Sequence, residues 1–196
     1  MVVDFLKYKP TVLSPLCIAG SQIERVSVYK LLGVKITNDL TWNEHCEYIY
    51  SKANKRLFGL RVLQKSGLRT DELLEVYCST IRSAVEYASP VWAGLPSYLS
   101  DLLETIQKKA LRIIFPYVSY CQARELAGLE TLSSRRTVAC KNFAKNCCQT
   151  GILSGLFKQP RKIDHRYNLR SGQSSLPSTG KTNRFNNFIT VRHQSL

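Results

Sequence analysis

The chain has 196 residues, of which 44% are hydrophobic, and carries a net charge of +14. That hydrophobic share is near the globular average and predicts a packed core, while no apolar run approaches the roughly 20 residues of a membrane helix. The N-terminus is too short, and carries Asp4 too early, for a secretory signal, so we expect an intracellular protein, nuclear or cytoplasmic, without a membrane partner.

The charge is distributed unevenly along the chain. Residues 1–130 hold 16 Lys and Arg against 13 Asp and Glu, a net of +3, whereas residues 131–196 hold 12 Lys and Arg against one Asp, a net of +11. A basic half joined to a near-neutral half favours a polyanionic partner, most often nucleic acid. An anionic membrane would also suit this charge, but the tail lacks the apolar stripe of an amphipathic helix.

The seven cysteines include no C-x-x-C pair and favour reduced thiols over disulfides or a zinc ribbon. No usual zinc-ligand spacing is present among the candidate ligands Cys140, Cys147, Cys148 and His165. We therefore predict no metal site.

Residues 1–38 are predicted to form strands, because β-branched runs alternate there with proline and glycine. The last run, from Ile23 to Ile36, is long enough to bend once, and Gly33 is the natural place for a bulge or a close backbone approach. So small a β segment needs a cover, and the chain is expected to be the later part of something larger. Exposure of six apolar side chains would favour that interpretation: Val2, Phe5, Leu16, Ile18, Leu31 and Val34.

Helical patterns begin after residue 38. Thr41 and Glu44 stand in capping-box spacing and predict a first helix that ends near Gly67. Its predicted apolar face is Ile49, Ala53, Leu57, Leu60 and Leu63. Thr70 is predicted to open a second helix that Pro90 closes. The face predicted for the second helix is Leu73, Tyr77, Ile81, Ala84 and Ala88.

A loop carrying Trp92 is predicted next, and a third helix follows Ser97 or Ser100 and stops at Pro116. Its predicted buried stripe is Leu103, Ile106, Ala110 and Ile113. A short helix is expected between Ser119 and Gly128. A fifth helix is predicted to bury Val138, Phe143 and Ala144.

The predicted fold class is therefore α+β and mainly α. A small β-hairpin piece occupies residues 1–38, a helical bundle of four to five helices covers 39–118 and 119–157, and a disordered basic tail covers 158–196. The tail is too polar and too charged to offset its ordering entropy by burial.

No catalytic constellation is visible in the sequence. The three histidines are isolated, and there is no phosphate-binding glycine-rich loop. Asp71, Glu72 and Glu75 are better explained as the solvated first turn of a helix. A metal-dependent nucleotidyl transferase needs at least two convergent carboxylates, and Asp4 supplies one. We predict no catalytic residue, no small-molecule substrate and no cofactor in this chain.

One face of the first helix carries an aromatic ring with cations beside it. Tyr48, Lys52 and Lys55 fall within about 60° of one another at about 100° per residue, and Arg56 borders the apolar stripe. The ring could stack on a base or sugar while the cations meet phosphates, but the sequence alone slightly favours an ordinary solvated face with a tyrosine at its edge. A similar option on the third helix is offered by Lys108, Lys109 and Arg112.

Four stretches occur in an order that resembles one known family. They are YKLLGVKITNDLTWNEH, ANKRLFGLRVLQKSGL, YCSTIRSAVEYASPVWAGLP and LETIQKKALRII. Together they resemble the region downstream of the catalytic core in reverse transcriptases of non-LTR retrotransposons, of the LINE type and Jockey-like. The resemblance covers roughly residues 1–135.

The resemblance implies that residues 1–38 are the end of a polymerase palm and that residues 39–118 are the thumb. Leu32, Gly33 and Val34 would lie in a primer-grip-like hairpin, and the basic helix faces would hold an RNA or DNA template–primer duplex. The upstream palm and fingers would be further partners. The family's catalytic aspartates, which bind Mg²⁺ in the intact enzyme, lie upstream and have no counterpart here, so this chain alone is expected to be inactive as a polymerase.

Two alternatives remain open. One is that the chain is an independent basic nucleic-acid-binding helical module. The other is that it is a non-functional, pseudogene-like fragment. The first alternative shares the binding prediction with the reverse-transcriptase interpretation and differs from it in the exposure of the β segment.

Overall fold

A computed structural model describes residues 1–5 and 15–150, and within them the fold is mainly helical with a small β segment, which confirms the predicted α+β class. The strands are β1 Val2–Val3, β2 Leu16–Ile18, β3 Ser21–Ile23, β4 Arg25–Val26, β5 Val28–Leu31 and β6 Val34–Thr37. The helices are α1 Asn43–Lys65, α2 Thr70–Val76, α3 Ser83–Glu86, α4 Ser89–Trp92, α5 Ser97–Ile114, α6 Tyr120–Leu126 and α7 Leu132–Thr150. A π-helical segment, Tyr77–Arg82, joins α2 to α3.

The chain divides into two compact units. The first unit comprises residues 1–87 and 97–129, and the second comprises residues 88–96 and 130–196. The predicted basic tail over 158–196 lies outside the described residues, as does the end of the segment predicted for 119–157.

The strands pair two by two. β1 runs parallel to β4, and an ion pair of 3.0 Å between Asp4 and Arg25 adds to that pairing. β2 pairs with β3, and β5 pairs with β6, both antiparallel. The predicted bulge at Gly33 is wrong: Leu32 and Gly33 form the two-residue turn of the β5–β6 hairpin, with φ of 46° and 86°. Two successive positive φ values are typical of a type I′ turn, whose twist matches that of paired strands.

The predicted capping box of α1 does not form. Trp42 occupies the N-cap, without a capping hydrogen bond from its side chain. Thr41 does not cap the helix, because its backbone N–H and its hydroxyl donate to Asp39 Oδ1 at 3.0 Å and 2.9 Å. Glu44 forms an ion pair with Lys35 instead of bonding to the N-cap. The local turn at Asp39 therefore competes successfully with the helix for Thr41, and the ion pair with Lys35 occupies Glu44.

The core of the first unit is built mainly from α1 and α5. α1 buries Ile49, Ala53, Leu57 and Leu60 as predicted, together with His45 and Cys46. Leu63, the last residue predicted for this face, is half-exposed near the end of the helix. Gly67 ends the helix with φ of 85°, and N–H groups of Gly67 and Leu68 bond back to Gln64 and Leu63. This is the Schellman arrangement, in which glycine avoids the steric cost of a left-handed residue.

The second helical stretch differs from its predicted face. Leu73, Tyr77, Ile81 and Val85 are buried, so the face continues in steps of four and does not pass through Ala84 and Ala88. The π-helical segment explains the shift, because its wider turn keeps residues four apart on one side of the axis. A prediction that assumes the α-helical period therefore places Ala84 and Ala88 on the buried face, where the structure has Val85.

The prediction that Trp92 lies in a loop is wrong, although residues 93–96 after it have no regular secondary structure. Ser89–Trp92 forms the short helix α4, in which Pro90 lies in the first turn, where its missing N–H has no helical partner to lose. Trp92 is fully buried, and the guanidinium of Arg136 lies 5.8 Å from its ring within the second unit.

α5 buries Leu103, Ile106 and Ala110 as predicted. The prediction for Ile113 is wrong: Ile113 is half-exposed, and its neighbours Leu111 and Ile114 are buried. α6 matches its prediction: Ser119 is the N-cap, and Gly128, with φ of 61°, follows the end of the helix.

α7 follows a different face from the predicted one. Val138 and Phe143 are exposed, and only Ala144 of the predicted set is buried. The buried positions are Leu132, Arg136, Cys140, Ala144 and Cys147. Arginine and cysteine on the buried face hid the period from a search for strongly apolar residues.

Four of the six apolar side chains whose exposure was in question are exposed, namely Phe5, Leu16, Ile18 and Leu31. Val34 is buried and Val2 is half-buried. The β segment therefore presents apolar surface that the described chain does not cover.

Candidate nucleic-acid interface

A groove of about 470 Å³ lies between the β5–β6 turn, α1 and the helical stretch that ends at Tyr87. Five residues proposed from the sequence line it together: Leu32, Gly33, Tyr48, Lys52 and Arg56. Its other lining residues are Lys30, His45, Ile49, Ser83, Ala84 and Tyr87. The hairpin predicted as grip-like and the basic face of α1 therefore share one concave surface.

Gly33 faces the ring of Tyr87 closely. A Cβ built at Gly33 would lie 3.3 Å from Tyr87 Cε1, and the hydroxyl of Tyr87 donates a 3.0 Å hydrogen bond to the carbonyl oxygen of Leu32. The close approach predicted at Gly33 is thus made within the chain by a tyrosine. Val34, the third grip-like residue, is buried and does not line the groove.

Three lysines surround the ring of Tyr48. Lys30 donates a hydrogen bond of 2.9 Å to the Tyr48 hydroxyl, and its Nζ lies 4.8 Å from the ring centroid. Nζ of Lys35 and of Lys52 lie 5.5 Å and 6.0 Å from the same centroid. These distances are within the range of cation–π attraction. The hydrogen bond from Lys30, together with the lysine charges, lowers the pKa of Tyr48.

Arg56 lines the groove from α1. Its guanidinium donates to the carbonyl oxygen of Thr80, inside the π-helical segment. Arg56 therefore links α1 to that segment while it lines the groove. π-helical insertions leave backbone carbonyls away from their usual donors and are frequent at functional sites.

His45 lies at the bottom of this region and is buried. The backbone N–H of Lys35 donates to His45 Nδ1 at 3.3 Å, which joins β6 to α1. Burial, with a further contribution from the Lys35 charge, lowers the pKa of His45 to about 4. The imidazole is therefore neutral at physiological pH and supports the groove without adding charge.

The other predicted cations lie elsewhere. Lys55 is exposed on α1 but does not line the groove. Lys109 donates to Tyr50 at 2.7 Å and to Asn54 at 3.2 Å, on the other side of the apolar stripe of α1. Nζ of Lys108 lies 5.5 Å from the centroid of the Tyr120 ring, and Arg112 is exposed. The basic residues of α5 and those of the groove thus form separate surfaces.

Sequence reasoning missed Lys30, Lys35 and Tyr87. Lys30 and Lys35 are direct partners across the β5–β6 hairpin, so they share one face of the ribbon. A two-residue turn at Leu32 and Gly33 would have predicted this pairing, whereas a bulge does not. Tyr87 gave no signal, because its contact with the turn spans 55 residues of sequence.

None of the described residues that line the groove is acidic. Over residues 1–5 and 15–150, no cluster of His, Cys, Asp and Glu is suited to hold a metal ion. Among the described helices, none has the length and apolar character needed to cross a membrane. The groove is therefore characterised by positive charge and aromatic hydroxyl groups.

No family model, curated protein or solved structure matches this chain.

Proposed function

We propose that the first unit grips the backbone of a nucleic-acid duplex, as the palm-end and thumb part of a non-LTR retrotransposon reverse transcriptase would. The observation that carries the proposal is the convergence in one groove of the hairpin turn at Leu32 and Gly33 with Tyr48, Lys52 and Arg56. Phosphate contacts of this kind position a duplex without reading its sequence.

The charge of the groove supports this proposal. Its walls carry Lys30, Lys52 and Arg56 and no described acidic residue, so a polyanion meets little local repulsion. The turn at Leu32 and Gly33 is held beside the groove by Tyr87, whose hydroxyl donates to the carbonyl oxygen of Leu32 at 3.0 Å. A sugar–phosphate strand that follows the hairpin would meet the cations of α1 on its other side.

The β segment favours a polymerase part over an independent module. Leu16 and Ile18 are exposed, and the exposed Phe5 and Leu31 line one concave surface with Met1, Val3 and Tyr29. A contiguous apolar surface of this kind is typical of an interface with further protein. On this proposal the partner is the remainder of a polymerase, with palm and fingers. The carboxylate of Asp4 is already paired with Arg25 at 3.0 Å, and the chain alone is expected not to extend a primer.

Fluorescence anisotropy with a short RNA–DNA duplex tests the proposal. Because residues 131–196 carry a net charge of +11, salt-dependent binding by the whole chain would not by itself implicate the groove. The decisive comparison is therefore between Lys52→Ala with Arg56→Ala and the matched control Lys65→Ala, an exposed lysine at the end of the same helix.

The groove variants should bind the duplex about tenfold more weakly than the unmodified chain, and each removed phosphate contact should reduce the salt slope by about one. Lys65→Ala should leave both quantities unchanged. Equal effects of the groove variants and the control would refute the proposal, as would affinity that does not change between about 50 and 200 mM salt.

A further inference from the structure

Two lysines stand directly opposite each other on the hairpin that borders the groove. Lys30 pairs with Lys35 across β5 and β6. Like charges at directly opposed positions of an antiparallel pair repel each other and destabilise the hairpin. Glu44 offsets part of this repulsion, because its Oε2 lies 3.4 Å from Lys35 Nζ, but both groups are partly exposed and their attraction is screened.

Tyr48 holds this charge in place. Its hydroxyl accepts from Lys30 at 2.9 Å, and the ring attracts Lys35 and, from α1 itself, Lys52. We call Lys30, Lys35 and Lys52 the lysine cluster. The three side chains come from two strands and a helix and meet at one aromatic ring, so the tertiary fold concentrates their charge on a single spot.

We infer that the lysine cluster is a phosphate-recognition site and that Tyr48 is a positioning residue that orients Lys30 within it. The inference rests on the proposed function, because the same groove is involved, and adds what the groove recognises. It also changes the role expected of Tyr48: with Lys30 and two further ammonium groups over its ring, Tyr48 orders cations instead of stacking on a base.

The chemistry of the groove favours a phosphate over other anions. Several ammonium groups around one point suit a ligand with more than one negative oxygen, since each lysine offers its donors as a compact point charge. Arg56 lines the same groove and adds to its positive charge. The phosphate belongs either to the backbone of a nucleic-acid strand or to a free or terminal polyphosphate.

NMR titration of the full chain distinguishes the two sources. One arm uses sodium tripolyphosphate, and the other uses a short RNA–DNA duplex with 5′-hydroxyl ends, so that it carries phosphodiesters alone. The readout is the Nζ resonances of Lys30 and Lys52 and the ring resonances of Tyr48, because the basic tail would contribute to any bulk measurement. Tyr48→Phe retains the ring and removes the acceptor for Lys30, and Lys65→Ala is the control.

We expect the duplex to shift the resonances of the lysine cluster, and Tyr48→Phe to weaken that binding about 3- to 10-fold, the effect of one hydrogen bond. A phosphate that draws Lys30 away should also raise the pKa of Tyr48, measured from its Cζ shift, toward its ordinary value. A purely structural role for Tyr48 would leave that pKa unaffected by the ligand.

The outcomes separate this inference from the proposed function. Duplex binding that depends on Arg56 but shifts no resonance of the lysine cluster would overturn the inference and leave the proposed function standing. Shifts by tripolyphosphate without any duplex binding at the groove would support a phosphate site and refute the duplex grip. Equal affinities of Tyr48→Phe and the unmodified chain for both ligands would overturn the positioning role.

Discussion

The hydroxyl of Tyr87 bonds to the carbonyl oxygen of Leu32, and the ring of Tyr87 covers Gly33 in the same turn. A helix end is thereby fastened to a hairpin turn that lies 55 residues earlier in the chain. Because both residues line the groove, the contact determines how far the hairpin stands from α3 and hence the width of the groove between them.

Gly33→Ala should lower the free energy of unfolding by about 1–2 kcal/mol. The residue has φ of 86°, where an L side chain is strained, and its new Cβ would meet Tyr87 at 3.3 Å. Urea unfolding measures the loss. Gly20→Ala is the matched control, since Gly20 has φ of 79° and no atom within 4 Å of the added Cβ. Equal losses in the two variants would show that the Tyr87 contact adds nothing beyond backbone strain.

Tyr77→Phe should destabilise the first unit by about 1–3 kcal/mol, because it breaks a buried hydrogen-bond chain. The hydroxyl of Tyr77 donates to Gln107 at 2.9 Å, Gln107 donates to Tyr120 at 3.1 Å, and Tyr120 donates to Glu104. Burial raises the pKa of Tyr77, which keeps its donor protonated.

Thermal unfolding compares this variant with Tyr98→Phe, which removes an exposed 2.6 Å bond to Asn43. The exposed bond competes with water, so its loss should cost well under 1 kcal/mol. A similar cost for both variants would mean that the buried chain contributes no more than a surface contact.

Stability should fall as the pH drops from about 6.5 to about 4 because of His45. Its pKa is lowered to about 4 in the folded chain, so between these values the unfolded state binds the proton and the folded state does not. The neutral form thus stabilises the fold fully above the ordinary pKa, and the contribution is lost on acidification.

The expected loss is about 2 kcal/mol, measured by urea unfolding at a series of pH values. His45→Gln cannot take up a proton, and should therefore flatten the curve in this range relative to the unmodified chain. A variant whose stability falls as steeply as that of the parent would assign the pH dependence to other groups.

Lys109→Met should affect mainly stability, whereas Lys52→Met should affect mainly duplex binding. Lys109 bonds to Tyr50 and Asn54, so its loss should cost about 0.5–1.5 kcal/mol of stability and leave duplex affinity nearly unchanged. Lys52 is exposed and lines the groove, so its loss should weaken duplex binding and change stability by less than about 0.5 kcal/mol. Anisotropy and urea unfolding on the same samples test both. If Lys109→Met weakened duplex binding, α5 would be part of the nucleic-acid interface and the separation of the two basic surfaces would be wrong.

Local signals in the sequence were sufficient for the class of the fold and for several element ends. Gly67 and Gly128 end helices because each adopts the left-handed backbone conformation just after a helix, a requirement set within a few residues. Ser119 caps α6 for an equally local reason, as its hydroxyl faces the N–H of Gln122. The apolar stripe of α1 was also readable, because a regular helix of 23 residues repeats it many times.

Elements whose form depends on distant partners could not be read in this way. The π-helical segment moves the buried face onto Val85, and α4 forms around a Trp92 that is buried, although both were assigned otherwise from local pattern. The candidate site also depends on contacts between residues that are distant in the sequence. Tyr48, Lys52 and Arg56 were visible as one helix face, but Lys30 and Lys35 joined them through hairpin pairing, and Tyr87 through a contact across 55 residues. Propensity acts between neighbours in the chain, whereas convergence of charge on one ring depends on packing between elements that are far apart in sequence.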